Sequence, residues 1–285
     1  MGHDMARPLR IQFAGALYHV TARGNARQDI FCDDLDRVRF LDTLWSTCEL
    51  LDWDVWAYCL MGNHYHVLLQ TLTPTLSRGM RNLNGHYSQW FNFRHQRVGH
   101  LLQGRYYSSL VDKETYLLEV ARYILLNPVR SGLCEEPGLW PWSSYRATAG
   151  RAPVPGRLVV ERLIREFGEG KNAYDRFVTY IRAGISEPDP AETERLAFCV
   201  GGERFVSSVA RLSGTVSREV PRSQRTWKSL DQYEAETRDR NAAIQSAYAS
   251  GTYTLAEIGR HFGLHYVSVG RIVRRVRAKT LQGKT

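Results

Sequence analysis

The sequence predicts an α+β fold, one antiparallel sheet with helices packed on it. Three observations predict it: strand-like and helix-like runs follow in the order β-α-β-β-α-β-α, a three-residue connection suits a hairpin, and no Gly-rich phosphate loop marks a nucleotide-binding crossover.

Leu17 to Arg23 (LYHVTAR) alternates as a strand does, and Gly24-Asn25 supplies a turn. Asp33-Asp34 can cap a helix whose apolar positions Leu35, Val38, Phe40, Leu41, Leu44, Trp45 and Cys48 recur at helical spacing to about Leu50. Trp53 to Leu60 and His64 to Gln70 read as two strands joined by Met61-Gly62-Asn63. A helix over Thr75 to Arg94 follows, then a short strand over Arg105 to Val111. The next helix starts near Asp112 and is expected to stop at Asn127-Pro128. Gly150 to Arg157 and Ser186 to Pro190 concentrate Gly and Pro and read as breaks. The expected domains are 1–150, a linker and small helical region over 151–230, and a C-terminal module over 231–285.

With 285 residues the chain is long enough for more than one core. No apolar run approaches the ~20 residues of a membrane span, and the polar start lacks the apolar centre of a secretory signal, so a cytoplasmic protein without membrane partners is expected. Five widely spaced cysteines without a C-x-x-C argue against a disulfide framework or a cysteine-rich zinc module. A net charge of +9, carried mostly by Arg, suits a polyanionic partner, because phosphate contacts dominate nucleic-acid affinity.

His64 and His66 are two apart on a strand, so both leave one face while Tyr65 leaves the other, and one face can hold a metal. On the last helix, Tyr123 and Asn127 are four apart and stand one turn apart on one face. Leu117, Val120, Ala121, Ile124 and Leu125 would bury the opposite side and turn Tyr123 toward the histidines. Spacing alone leaves ordinary alternatives open: a polar sheet edge for the histidines, a helix stop for Asn127, and a core aromatic for Tyr123.

Asn63-His64-Tyr65-His66-Val67, followed by the run from Ala121 to Leu133 (ARYILLNPVRSGL), resembles the REP-associated tyrosine transposases, single-tyrosine members of the HUH nuclease superfamily. The resemblance covers about Arg10 to Arg146, including Leu60-Met61-Gly62-Asn63, Gly104-Arg105-Tyr106-Tyr107 and Trp140-Pro141-Trp142-Ser143-Ser144-Tyr145. It implies a ferredoxin-like sheet, His64 and His66 as a metal-binding pair, Asn127 as third ligand, and Tyr123 as nucleophile. It also implies Mg²⁺ or Mn²⁺ as metal and single-stranded or hairpin DNA bearing repeated extragenic palindromes as substrate. A phenol titrates near ~10 and a phosphodiester repels anions, so a cation that polarises the scissile phosphate offsets both obstacles. Attack by Tyr123 would leave a 5′-phosphotyrosine and a 3′-hydroxyl.

Arg23, Arg105 and Arg130 are candidate DNA contacts, with Arg81, Arg94 and Arg122 behind them. Tyr87, Trp90, Tyr106 and Tyr107 are candidates for stacking on unpaired bases.

Near the C-terminus, Thr254 to Phe262, a Gly263-Leu264-His265 turn and Tyr266 to Arg275 read as helix, turn, helix, with Ala256, Ile258, Val267 and Ile272 packing. From Ile258 onward there are seven Lys or Arg and no acidic residue. The expected role is duplex DNA binding through Tyr266, Ser268, Arg271, Arg274 and Arg275, His265 beside them. The expected activity is a metal-dependent DNA endonuclease and strand transferase, monomeric or homodimeric. The competing readings are a non-catalytic DNA-binding regulator and a hydrolase whose metal activates water.

Overall fold

The computed structural model describes residues 11–170, 172–187, 199–202, 205, 207, 209, 230–237, 239–249, 255–265 and 268–273. It divides into two units, Met1–Thr215 and Val216–Thr285. In the first, β1 (Ala16–Arg23), α1 (Asp34–Leu51), β2 (Trp53–Leu60), β3 (His64–Thr71), α2 (Leu76–Arg94), β4 (Tyr107–Val111) and α3 (Lys113–Arg130) follow in the expected order. The strands lie as β2-β3-β1-β4, all antiparallel, which is the ferredoxin-like arrangement. Beyond β4 a two-residue strand β5 (Cys199–Val200) pairs parallel.

Local chemistry sets the boundaries. Asp33 accepts from the Asp36 amide and starts α1, and Asp112 does the same for α3 through the Glu114 amide. The C-terminus of α2 is tied to the start of α1, because Arg94 donates to Asp33 and to buried Asp36, and His95 bonds Asp36 as well. The expected stop at Asn127-Pro128 is corrected: α3 runs through Pro128 to Arg130. Proline lacks an N–H and deprives only the Ile124 carbonyl of its donor there, so the last turn survives, and the Ser131 amide closes it on the Asn127 carbonyl at 2.9 Å.

Although β2 ends the sheet order, all eight of its residues are buried. The chain after α3 covers its outer edge. Leu60 donates to the Trp142 carbonyl, Ser144 to Tyr58 and Val55 to Arg157, while Val159 returns a bond to Val55. The buried carboxylate of Asp54 is paired by Arg157 and Arg162. Arg157, the last residue of the stretch 150–157 expected as a linker, thus lies against β2. The helices that follow, α4 (Tyr145–Thr148), α5 (Val160–Arg165) and α6 (Asn172–Ala183), add Tyr145, Leu163, Phe177 and Ile181 to the same core as the sheet.

Gly79 brings α2 onto the sheet. A Cβ there would lie 2.1 Å and 2.2 Å from ring atoms of buried Trp53, whose Nε1 donates to Thr75 Oγ1 at 2.9 Å and holds the indole still. Gly79→Ala gains up to ~1 kcal/mol of helix propensity. Overpacking a fixed indole costs about 1–3 kcal/mol. The expected result is a lower urea midpoint with an unchanged slope; a raised midpoint would show that Trp53 can yield.

The second unit contains helices Leu230–Ala235, Arg240–Ala249 and Leu255–His261, and residues 268–273 are helical. Ile244, Ala247, Ile258 and Val269 form its core, with Phe262, Leu264 and Ile272 packed against them. Gly263 adopts φ +65, the left-handed conformation that ends a helix on glycine. Ser268 is half-buried and Arg271 exposed, whereas Tyr266, Val267, Arg274, Arg275 and the side chain of Ala256 lie outside the described residues. Among the described residues no helix is long and apolar enough to cross a membrane.

Candidate functional site

Strand alternation and the β1–β3 register decide which side chains meet. Thr21 lies opposite His66 and Arg23 opposite His64, so His19, Thr21, Arg23, His64 and His66 share one face. Tyr65 leaves by the other face. It is fully buried, its ring centroid is 4.6 Å from Phe40 of α1, and its hydroxyl donates to Asn84 Oδ1 of α2 at 2.7 Å. Burial pushes the Tyr65 hydroxyl far above its ordinary value, which keeps it a donor.

Helix α3 lies against the histidine face. Leu117, Val120, Ala121, Ile124 and Leu125 are buried, as their spacing predicts, and Tyr123 is half-buried between core and surface. Its ring centroid lies 5.6 Å from that of His66 and 5.8 Å from that of His19, both edge to face. Asn127, only 8% exposed, stands one turn further along α3. The Arg130 guanidinium lies 5.9 Å over the Tyr123 ring, and its Nη2 donates to the Gly184 carbonyl.

The structure therefore brings His64, His66 and Tyr123 together and adds His19, which the sequence reading missed. Its Nε2 is 2.9 Å from His66 Nδ1 with the two rings stacked. Burial lowers the His19 imidazole to about 4, so it is neutral at neutral pH and can share one proton with His66 as donor or acceptor. Asn63 orients His64: its Nδ2 donates to the Arg27 carbonyl, which leaves Oδ1 to accept from His64 Nδ1 at 2.7 Å. Both metal-ligand candidates thus use Nδ1 for a neighbouring side chain, the arrangement that orients an imidazole to bind a cation through Nε2. By donor type, two imidazoles and an amide suit a divalent cation that keeps positions open for phosphate oxygen and water.

A second trio, Cys32, Asp36 and His95, has ligand atoms within 4.8 Å of one another. Asp36 already accepts from Arg94, His95 and the Cys32 amide, so a cation there would have to displace a guanidinium.

The candidate DNA contacts separate clearly. Arg23 and Arg105 are exposed and Arg130 is half-buried beside Tyr123. Arg94 is held by Asp33 and Asp36, and Arg122 by Glu187, so both belong to ion pairs of the fold. Tyr87 and Tyr106 are core residues: Tyr87 donates to the Ile30 carbonyl and Tyr106 is 7% exposed. Tyr107 is exposed and Trp90 half-buried.

Residues 12–127 match a family described as transposase, IS200-like. The structure is also similar to a solved structure of a REP-associated tyrosine transposase bound to a REP hairpin, at 16% identity, covering 54% of this chain and 92% of that one with a TM-score of 0.45. No curated protein matches the chain.

Proposed function

We propose that this chain, whose residues 12–127 match the IS200-like transposase family, cuts and rejoins single-stranded or hairpin DNA through a covalent bond to Tyr123. The observation that carries this reading is the Tyr123 ring 5.6 Å from His66, on the sheet face that also presents His64. A hydroxyl that can attack phosphorus stands beside a donor set suited to a cation, and both are held by packed elements.

The phenolic oxygen of Tyr123 forms a bond to phosphorus, the bond to the 3′ oxygen breaks, and the phenol proton ends on that oxygen as a 3′-hydroxyl. The phosphodiester energy is kept in the 5′-phosphotyrosine, so a second 3′-hydroxyl can reverse the step and join a new end. Mg²⁺ or Mn²⁺ held by His64, His66 and Asn127 would polarise the scissile phosphate and stabilise charge on its oxygens. His19 and Asn63 hold the two imidazoles in their ring orientation. Arg130, over the Tyr123 ring, and Arg23, opposite His64, supply cations for the phosphates on either side.

In the second unit, the helix, the Gly263 turn and the helical residues 268–273 support a helix-turn-helix that binds duplex DNA through exposed Arg271 and neighbouring Ser268. The test of the nuclease reading is incubation of a hairpin oligonucleotide labelled at its 3′ end with the full-length protein and Mn²⁺. A denaturation-resistant protein–DNA product is expected; duplex binding with no such product under any divalent cation would favour the non-catalytic regulator.

A further inference from the structure

On the Tyr65 side of the sheet, a groove of about 520 Å³ runs between the outer surface of α2 and the segment 99–106. That volume lies within the ~300–1,000 Å³ of sites that hold small molecules. One wall carries Arg81, Asn84, Gly85 and Ser88 from successive turns of α2, and the other carries His100 and Arg105. Arg81, His100 and Arg105 are exposed, and no carboxylate lines the groove among the described residues. Its chemistry is cationic at the rim, with Met80, Leu101, Leu102 and Tyr106 beside amide and hydroxyl groups within, which suits a phosphate joined to the flat ring of a base. A Cβ at Gly85 would meet nothing within 4 Å, so the floor is open there.

Two connections tie the groove to the histidine site. The wall segment is pinned to the end of β1: Asn25 donates to the Leu101 carbonyl, Gln103 to the Arg23 carbonyl, and Gly24 bridges Leu102. Arg23 is the cross-strand partner of His64. Asn84, on the α2 wall, accepts the hydroxyl of Tyr65, the residue between the two candidate ligands. The wall segment is thus bonded to the strand end that lies opposite His64, and the groove lies around that end of the sheet, on the face away from the histidines.

We propose that the groove between α2 and segment 99–106 is a subsite for one or two unpaired nucleotides of the DNA strand, with Arg81 and Arg105 on the phosphates and a base seated over Gly85. The proposal rests on the reading that this protein acts on unpaired DNA, and it adds where the strand lies beyond the cleavage site.

The test is binding of a fluorescent 12-nucleotide oligo-dT to the full-length protein by anisotropy in EDTA, where neither metal nor Tyr123 chemistry contributes. Gly85→Leu fills the floor and raises helix propensity, so it is expected to fold, which a thermal melt checks. Affinity is expected to fall about 10-fold, the scale of one lost base contact. Arg81→Gln with Arg105→Gln is expected to lower the slope of log affinity against log salt by about 1.4, from two lost phosphate contacts. Wild-type affinity in Gly85→Leu, or a salt slope unchanged in the double variant, overturns the subsite. Loss of affinity in the arginine variant alone also overturns it, since that marks a surface attraction without a seated base. A wild-type protein that binds through the groove yet forms no covalent product refutes the nuclease reading and leaves the subsite standing. Normal nicking with groove-independent binding does the reverse.

Discussion

Tyr123→Phe is expected to abolish the covalent product and to slow nicking of a hairpin substrate by on the order of 10³-fold or more, because it removes the attacking oxygen itself. The substitution removes one atom and keeps the ring against His66, His19 and the Arg130 guanidinium, so the melting temperature should move little. The measurement is single-turnover nicking of an oligonucleotide labelled at its 3′ end, resolved under denaturing conditions so that linked and free products separate. Near-normal nicking by the Phe variant would mean that water attacks the phosphate and Tyr123 is a packing residue. Loss of both nicking and melting stability would instead point to a role of the hydroxyl in the fold.

The second large effect is expected at the imidazoles. Chelation should stop nicking, and excess Mn²⁺ should restore it. His64→Ala or His66→Ala should lower the rate by at least about 10²-fold even at high Mn²⁺, since charge on the phosphate oxygens would lose its fixed partner. His19→Phe should behave differently. It keeps the packing against Tyr123 but removes the 2.9 Å contact to His66 Nδ1, so the Mn²⁺ concentration for half-activation should rise about 10–100-fold with much of the maximal rate retained. A titration of rate against Mn²⁺ for the three variants separates the roles. Identical curves for wild type and His66→Ala would remove His66 from the metal site, and a His19→Phe rate that no Mn²⁺ restores would give His19 a direct part in the chemistry.

His64, His66 and Tyr123 were legible because two periodicities announce them: a spacing of two on a strand and the apolar stripe of a helix that leaves Tyr123 on the other side. The α+β class was legible for the same reason, with Asp33 and Asp112 marking helix starts by a local bond that needs no tertiary information. His19 was not. It joins the site through pairing of strands whose contacting residues are 47 apart in the chain, and one histidine in an alternating run carries no sign of its cross-strand neighbour. Tyr87 and Tyr106 show a further limit, since an aromatic side chain looks the same in sequence whether it stacks on a base or fills the core. Pro128 misled for a different reason. A proline signals a stop wherever it stands, and only the structure shows that a single carbonyl is deprived of its donor near the helix end.

The cover over β2 comes from a stretch with no strand periodicity, Trp140 to Leu158, bonded to residues 80 to 104 positions earlier. Its consequence reaches the bench: a fragment trimmed to residues 12–127 would retain Tyr123 and both histidines while stripping the Trp53–Leu60 border of every bond that Trp142, Ser144 and Arg157 make with it. The bared border, rich in tryptophan and tyrosine, would recruit other copies by strand addition and leave an aggregate. The sheet that carries His64, His66 and Tyr123's neighbours is expected to stay soluble only with its own downstream chain wrapped around it.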